Sequence, residues 1–145
     1  KIAPNGAVYQ AGTLSGSPLA VAAGLAMLEV VSEADFYEKL HKKTKLLMDG
    51  LKDRASAVGV PFTTNQAGGM FGCFFNTNKK VKTFKEVMES NAESFQIYFH
   101  EMLSNGVYLA PSMYEAGFVS NVHTEEEIEK TLDAANLAFE AIKNY

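Results

Sequence analysis

Hydroxyl groups crowd one short stretch near the start of the chain. Gly12-Thr13-Leu14-Ser15-Gly16-Ser17-Pro18 sets glycines at 12 and 16 and hydroxyls at 13, 15 and 17 directly before an alanine-rich apolar run. This pattern reads as a tight loop feeding a helix, with Ser17 as the N-cap and Pro18 as the first helical residue. A cap hydroxyl accepts a hydrogen bond from an orphan N–H of the first turn, and proline has no N–H to leave unpaired there. The amides that remain, the helix dipole and the Thr13 hydroxyl together suit a phosphate or a carboxylate. An ordinary capped helix fits the same residues, and spacing alone leaves both readings standing.

Far along the chain Glu115 stands beside Tyr114 and before Ala116-Gly117, in a loop between two apolar stretches. A carboxylate next to an aromatic ring suits the orientation of an amine-bearing substrate, with an exposed loop acid as the plain alternative. Tyr9 brings a phenol close to the anion loop, where packing plus one hydroxyl hydrogen bond is its plain role. His41, His100 and His123 are scattered without partners at ligand spacing, so no zinc or iron site is expected. Cys73 lies inside an apolar run, where a thiol is expected to be inert. No Ser/His/Asp order and no glycine-lysine phosphate loop stands out.

The elements that must position these groups follow from pattern. Residues 19–31 are apolar on all sides, which predicts a helix buried in a larger body or covered by a neighbouring subunit. Residues 35–58 are amphipathic, with Phe36, Leu40, Leu47 and Leu51 on one side and a stop at Gly59 and Pro61. Strands are predicted at 60–64 and, after the Gly68-Gly69 turn, at 70–75, where the aromatic run reads as sheet core. A polar turn is expected at 76–80. Thr83 with Glu86, and Thr124 with Glu127, have the spacing of capping boxes. Between them Phe95, Tyr98, Phe99, Met102 and Leu103 mark a helix ended by Asn105-Gly106, and 107–110 and 117–120 read as two further strands. The final helix carries Ile128, Leu132, Ala135, Phe139 and Ile142 on one face. A loop too short for a parallel crossover joins the last two strands, so the fold class is α+β, a small mainly antiparallel sheet with helices on one face.

The chain has 145 residues, 47% of them hydrophobic, and a net charge of −4. That is enough for one cored domain, and the acidic balance excludes a nucleic-acid footprint or an anionic-membrane surface. The single cysteine excludes an internal disulfide and is consistent with a reducing compartment. The apolar run at 18–28 is too short to cross a bilayer, and no secretory leader is visible at the start.

The strings themselves say more. Tyr9-Gln10-Ala11-Gly12-Thr13-Leu14-Ser15-Gly16 with Pro18 resembles the segment that follows the cofactor-lysine region in class III aminotransferases, which are fold-type I pyridoxal-phosphate enzymes. A second match runs through Tyr98-Phe99-His100-Glu101-Met102-Leu103, Gly106 to Ser112 and Tyr114-Glu115-Ala116-Gly117-Phe118-Val119-Ser120, in the family's order. Within the group the likeness is greatest to the aminomutases, which exchange amino and carbonyl groups between adjacent carbons of one substrate. It covers essentially the whole chain. Ser17 departs from the asparagine usual there, though both residues cap helices.

The resemblance implies a C-terminal fragment of a longer enzyme, with residues 1–31 closing the large cofactor domain and 32–145 forming the small domain. It implies pyridoxal 5'-phosphate or pyridoxamine 5'-phosphate as cofactor in the parent, a small-molecule substrate and a homodimer in the cytoplasm, or in the stroma of a plastid. Thr13, with Gly12, would meet the phosphate of the partner subunit's cofactor, and Tyr9 and Glu115 would face the substrate cavity. The lysine that carries the cofactor, the aspartate for its ring nitrogen and the glycine-serine/threonine phosphate loop would lie upstream, so the fragment alone is expected to be inactive and not to hold cofactor. A class III ω-aminotransferase, or a non-catalytic interaction module docking through 19–31, are the alternatives.

Overall fold

The computed structural model describes residues 1–77 and 80–145, and it divides into two compact units, Lys1–Phe36 and Tyr37–Tyr145. The middle of the polar turn expected at 76–80, residues 78 and 79, lies outside the described residues.

In the first unit the hydroxyl-rich stretch folds as two overlapping turns. The Ser15 amide donates to the Gly12 carbonyl at 3.0 Å and the Ser17 amide to the Leu14 carbonyl at 3.1 Å, with Gly16 at φ +76, a conformation cheap only for glycine. Helix α1 (Pro18–Val31) then starts with proline at its head as expected. Ser17 occupies the cap position, but its side chain makes no cap hydrogen bond, which corrects the expectation. The turn holds its backbone at φ −53 and ψ 123, outside the extended geometry that aims the cap side chains of Thr83 and Asn91 at their amides. No residue of α1 is buried within this chain, and Leu19 is 83% exposed.

The second unit is built on α2 (Phe36–Val58), whose Leu47, Met48, Leu51 and Ala55 are buried. The helix ends as the sequence predicts. Gly59 takes φ +81, its amide donates to Ser56, and the Val60 amide reaches Ala55 at 3.0 Å, the paired bonds of a Schellman end. Val60 thus finishes the helix and Pro61 has no N–H to give a ladder. The strand expected at 60–64 accordingly begins later, as β1 (Thr63–Ala67). Gly68, at φ +58, and Gly69 turn the chain into β2 (Met70–Phe74), with Ala67 opposite Met70. β1 and β2 are antiparallel, and a two-residue β3 (Gly117–Phe118) completes a sheet of order β1-β2-β3.

Of the last two expected strands, only this short piece of 117–120 forms. Residues 107–110 are not a strand, and the partner of β2 on this side is Gly117 and Phe118, opposite Phe71 and Met70. Strand pairing is decided by distant partners, which a local pattern does not name.

The remaining helices follow their caps. At α3 (Phe84–Met88) the Thr83 hydroxyl accepts from the Glu86 amide at 3.3 Å while the Glu86 carboxylate accepts from the Thr83 amide at 2.9 Å. Asn91 caps α4 (Ala92–Ser104) by accepting from the Ser94 amide at 2.9 Å. At α5 (Glu125–Asn144) the Glu127 carboxylate takes hydrogen bonds from the amide and, at 2.6 Å, the hydroxyl of Thr124. The Lys82 amide, donating to the Glu86 carboxylate at 2.6 Å, and then the Thr83 amide hold the Glu86 carboxyl below the usual range, and the Thr124 hydroxyl and amide do the same for Glu127.

Strand alternation aims Phe71 and Cys73, and Phe75 just beyond, at a core made with Tyr98 and Met102 of α4 and Ile128, Leu132, Ala135 and Phe139 of α5. Helices α2, α4 and α5 therefore cover one face of the sheet. Phe139 is fully buried and meets Phe62 at 5.0 Å and Tyr98 at 5.4 Å between ring centroids. Truncation to alanine removes those ring contacts and leaves a cavity, so Phe139→Ala is expected to lower unfolding free energy by about 3–5 kcal/mol. Urea titration of wild type and variant, at unchanged m-value, measures it.

Candidate functional site

Tyr9, Gly12 and Thr13 belong to the first unit and Glu115 to the second. Each group is described in its own surroundings.

The turn that carries Thr13 leads straight into the N-terminus of α1. Gly12 sits tight beneath it: a Cβ there would lie 3.0 Å from the Ser15 hydroxyl oxygen. The Ser17 hydroxyl is not spent on a cap, and α1 has no acidic residue in its first turn. The helix dipole thus meets no side-chain carboxylate of its own, in contrast with α5, which opens on Glu125, Glu126 and Glu127. Among the described residues the Thr13 hydroxyl makes no hydrogen bond. Unsatisfied first-turn amides plus free hydroxyls form a donor set that fits a phosphate. Tyr9, 83% exposed, stands at the entry to this turn.

Glu115 lies in the loop between 110 and β3. Its amide donates to the Ser112 carbonyl at 3.2 Å, and the Tyr114 amide donates to the Ser112 hydroxyl at 3.3 Å, so one serine folds the loop around itself. The carboxyl-bearing residue is exposed at the rim of a groove of about 300 Å³ that the sheet shares with α3, away from α4 and α5. Met70 and Phe74 form its floor, and Phe84, Val87 and Tyr114 rise around it. The rings of Phe84 and Tyr114 lie 6.0 Å apart at 42°. An apolar groove with one acid at its rim suits a ligand with an amine and a hydrocarbon portion.

Sequence reasoning missed this groove, because the run 70–75 was read wholly as sheet core. Half of it is. Phe71, Cys73 and Phe75 point to the helices, whereas Met70 and Phe74 open onto the groove. The signal was present in the period of two, with Gly72 between the two outward side chains.

The remaining candidates take structural parts. Gln66 donates its amide nitrogen to the His41 carbonyl at 2.9 Å and lies 3.2 Å from the His41 ring. The His123 Nδ1 accepts from the Ser120 amide at 2.9 Å, and the His100 ring is edge-on to Phe99. Among the described residues no three His, Cys, Asp or Glu group together as metal ligands, and no helix is long and apolar enough to cross a membrane.

The pattern of the family described as aminotransferase class III matches residues 1–136 of the chain. The chain belongs to the class III aminotransferases. Solved structures agree on the fold. An omega-transaminase from Sphaerobacter thermophilus aligns with a TM-score of 0.74 at 19% identity over 93% of this chain and 30% of that one. The FumI protein of Sphingopyxis sp. MTA144, in a PLP form, gives 0.72 at 23% identity over 93% and 30%. A glutamate-1-semialdehyde-aminomutase from Pseudomonas aeruginosa PAO1 gives 0.74 at 19% identity over 96% and 31%. The chain thus spans about 30% of the length of these neighbours.

Class III chemistry runs on PLP rather than on a protein thiol, and Cys73 fits that division. Burial pushes its thiol up to about 12 from an ordinary 9.0. In the native chain at pH 8 the thiolate population is therefore about a thousandfold below that of an unshifted thiol. Ellman's reagent at pH 8 is expected to label Cys73 slower by that order in buffer than in denaturing urea. The sign for stability follows: the unfolded chain releases the thiol proton first, so stability falls as pH rises above about 9.

Proposed function

We propose that this chain acts as the C-terminal part of a glutamate-1-semialdehyde 2,1-aminomutase, which converts glutamate-1-semialdehyde to 5-aminolevulinate for tetrapyrrole (porphyrin) synthesis. The observation that carries the reading is the run Ala110-Pro111-Ser112 to Tyr114-Glu115-Ala116-Gly117-Phe118, whose acid stands at the rim of an apolar groove. In this reading residues 1–31 close the large cofactor domain and residues 32–145 are the small domain of a homodimeric enzyme, working in the cytoplasm or a plastid stroma.

The donor set around Thr13 fits a phosphate, so Thr13, with Gly12 allowing close approach, holds the phosphate of the partner subunit's PLP or PMP. When bound, the cofactor supplies the electron sink for moving the amino group. Glu115 attracts and orients the substrate amine, Tyr9 forms a wall of the cavity, and the groove beside Glu115 excludes water around the carbon chain. The proton-moving lysine lies outside residues 1–145, which leaves the isolated chain inactive.

A second reading, a class III ω-aminotransferase with two separate substrates, is favoured by the transaminases among the solved neighbours. The two differ in stoichiometry. An aminomutase turns one substrate into one product and needs no 2-oxo acid acceptor, whereas a transaminase stops after a single turnover without one. The full-length enzyme is expected to form 5-aminolevulinate over many turnovers in acceptor-free buffer; turnover that appears only on adding a 2-oxo acid would overturn the aminomutase reading.

Two further outcomes follow from the residue roles. Loss of a charge-assisted hydrogen bond is worth about 1.5–3 kcal/mol, so Thr13→Ala in the full-length enzyme is expected to weaken cofactor binding by about 10- to 100-fold, with Thr13→Ser restoring most of it. Residues 1–145 alone, mixed with PLP, are expected to show no visible absorbance band that survives dialysis.

A further inference from the structure

Among the described residues, the polar side chains lining the groove between the sheet and α3 belong to Asn65, Gln66, Tyr114 and Glu115. Two of these spend their nitrogens inside the fold. The Asn65 side-chain amide donates to the Val81 carbonyl at 2.6 Å, and the Gln66 amide nitrogen donates to the carbonyls of His41 at 2.9 Å and Gly68 at 3.1 Å. The Tyr114 hydroxyl is different. Among the described residues it makes no hydrogen bond, and the polar atom of Tyr114 that is engaged is its backbone amide, which donates to the Ser112 hydroxyl.

The phenol is nonetheless braced. Its ring lies 6.0 Å from that of Phe84 at the head of α3, and α3 is fastened by Asn76, just past β2, which donates its side-chain amide to the Glu86 carbonyl at 3.4 Å and the Ser90 hydroxyl at 3.2 Å. On the other side of Glu115, Gly117 pairs with Phe71. Adjacent residues of one tethered loop thus carry an acid and a phenol. Tyr114 is 54% exposed, with its apolar body at the groove and a polar tip to offer.

An ionised carboxylate only accepts hydrogen bonds, whereas a phenol can donate one. An acid alone at the rim of an apolar groove takes any alkyl amine. With the phenol beside it, the pair selects a ligand that holds an acceptor oxygen close to its amine. A carbonyl oxygen fits that place, because a carboxylate there would meet the like charge of Glu115. We infer that the Tyr114 hydroxyl determines substrate specificity, donating to the carbonyl oxygen of an amino-carbonyl compound whose amine Glu115 takes. This rests on the role proposed for Glu115 and on a reaction in which amine and carbonyl stand on adjacent carbons. Water can reach the phenol when the oxygen is missing, so the discrimination is that of one neutral hydrogen bond.

The full-length enzyme in its pyridoxal form, titrated calorimetrically with 5-aminolevulinate and with 5-aminopentanoate, reads the hydroxyl. The second compound keeps the chain, amine and carboxylate and lacks the carbonyl oxygen. Tyr114→Phe removes one oxygen atom and keeps the ring against Phe84, so the urea midpoint is expected to stay where it is. The variant is expected to bind 5-aminolevulinate about 2- to 12-fold more weakly, with 5-aminopentanoate unaffected. Glu115→Gln is expected to weaken both, since both carry the amine. Equal weakening of the two compounds by Tyr114→Phe, or no change in either, overturns the inference. Glu115→Gln that weakens neither ends the role proposed for Glu115, and turnover that depends on a 2-oxo acid ends the aminomutase reading; the ratio of the two constants in Tyr114→Phe is measured apart from both.

Discussion

The second unit depends on one contact, the meeting of four rings. Phe62, Phe75, Tyr98 and Phe139 come from the lead-in to β1, the end of β2, α4 and α5, and their centroids lie 5.0 to 6.3 Å apart. Each ring removes a large apolar surface from water, and their edge-on and tilted arrangement adds about 0.5–1.5 kcal/mol per pair. Because side chains alternate along a strand, Phe75 pointing inward obliges Cys73 and Phe71 to do the same. Met70 and Phe74 are thereby turned out, and the floor of the groove is set by the packing on its opposite side. Slipping β2 by one residue would bury Phe74 and Met70 and destroy both core and groove at once.

Glu115 is tied to the same constraint through Gly117. A Cβ at Gly117 would lie 2.2 Å from the Phe71 ring, so only glycine lets β3 lie against Phe71 while that ring stays in place. The pairing of Phe71 with Gly117 brings the loop 111–116 to the groove's edge. The residue that looks most like chemistry is therefore positioned by one that looks like nothing but a turn.

Much of the helical architecture was legible in the chain because its signals are local. Thr83 with Glu86 and Thr124 with Glu127 announce helix starts, and Gly59 and Gly106 announce stops. Where partners are distant, legibility fails. Nothing within 107–110 states that Gly117 and Phe118 will take the neighbouring edge, and nothing within Gly16-Ser17-Pro18 states that the turn will close through the Ser17 backbone and leave its hydroxyl uncommitted. Tyr9, Gly12, Thr13 and Glu115 are candidates that the family's strings single out. The apolar groove was not legible, since a period of two conceals which face of a strand will be covered.

Exposure governs what these groups can do. An ion pair between exposed partners is worth about 0–1 kcal/mol, because water screens both charges. The same carboxylate facing an amine in an enclosed apolar groove acts at a far lower effective dielectric, where the attraction rises severalfold. Glu115 is exposed at the rim of an open groove beside Phe84 and Tyr114, so its charge stays screened unless further surface closes over it. Likewise the first-turn amides of α1 bind a phosphate strongly only when water is kept away from it. Helix α1 is apolar around its circumference and uncovered in this chain, and burying its exposed leucines and valines at about 25 cal/mol per Å² is a large driving force for association with further apolar surface. The sequence thus devotes its least water-compatible helix to the segment directly after the turn proposed to meet a phosphate, so that covering the helix would also help to dry that turn.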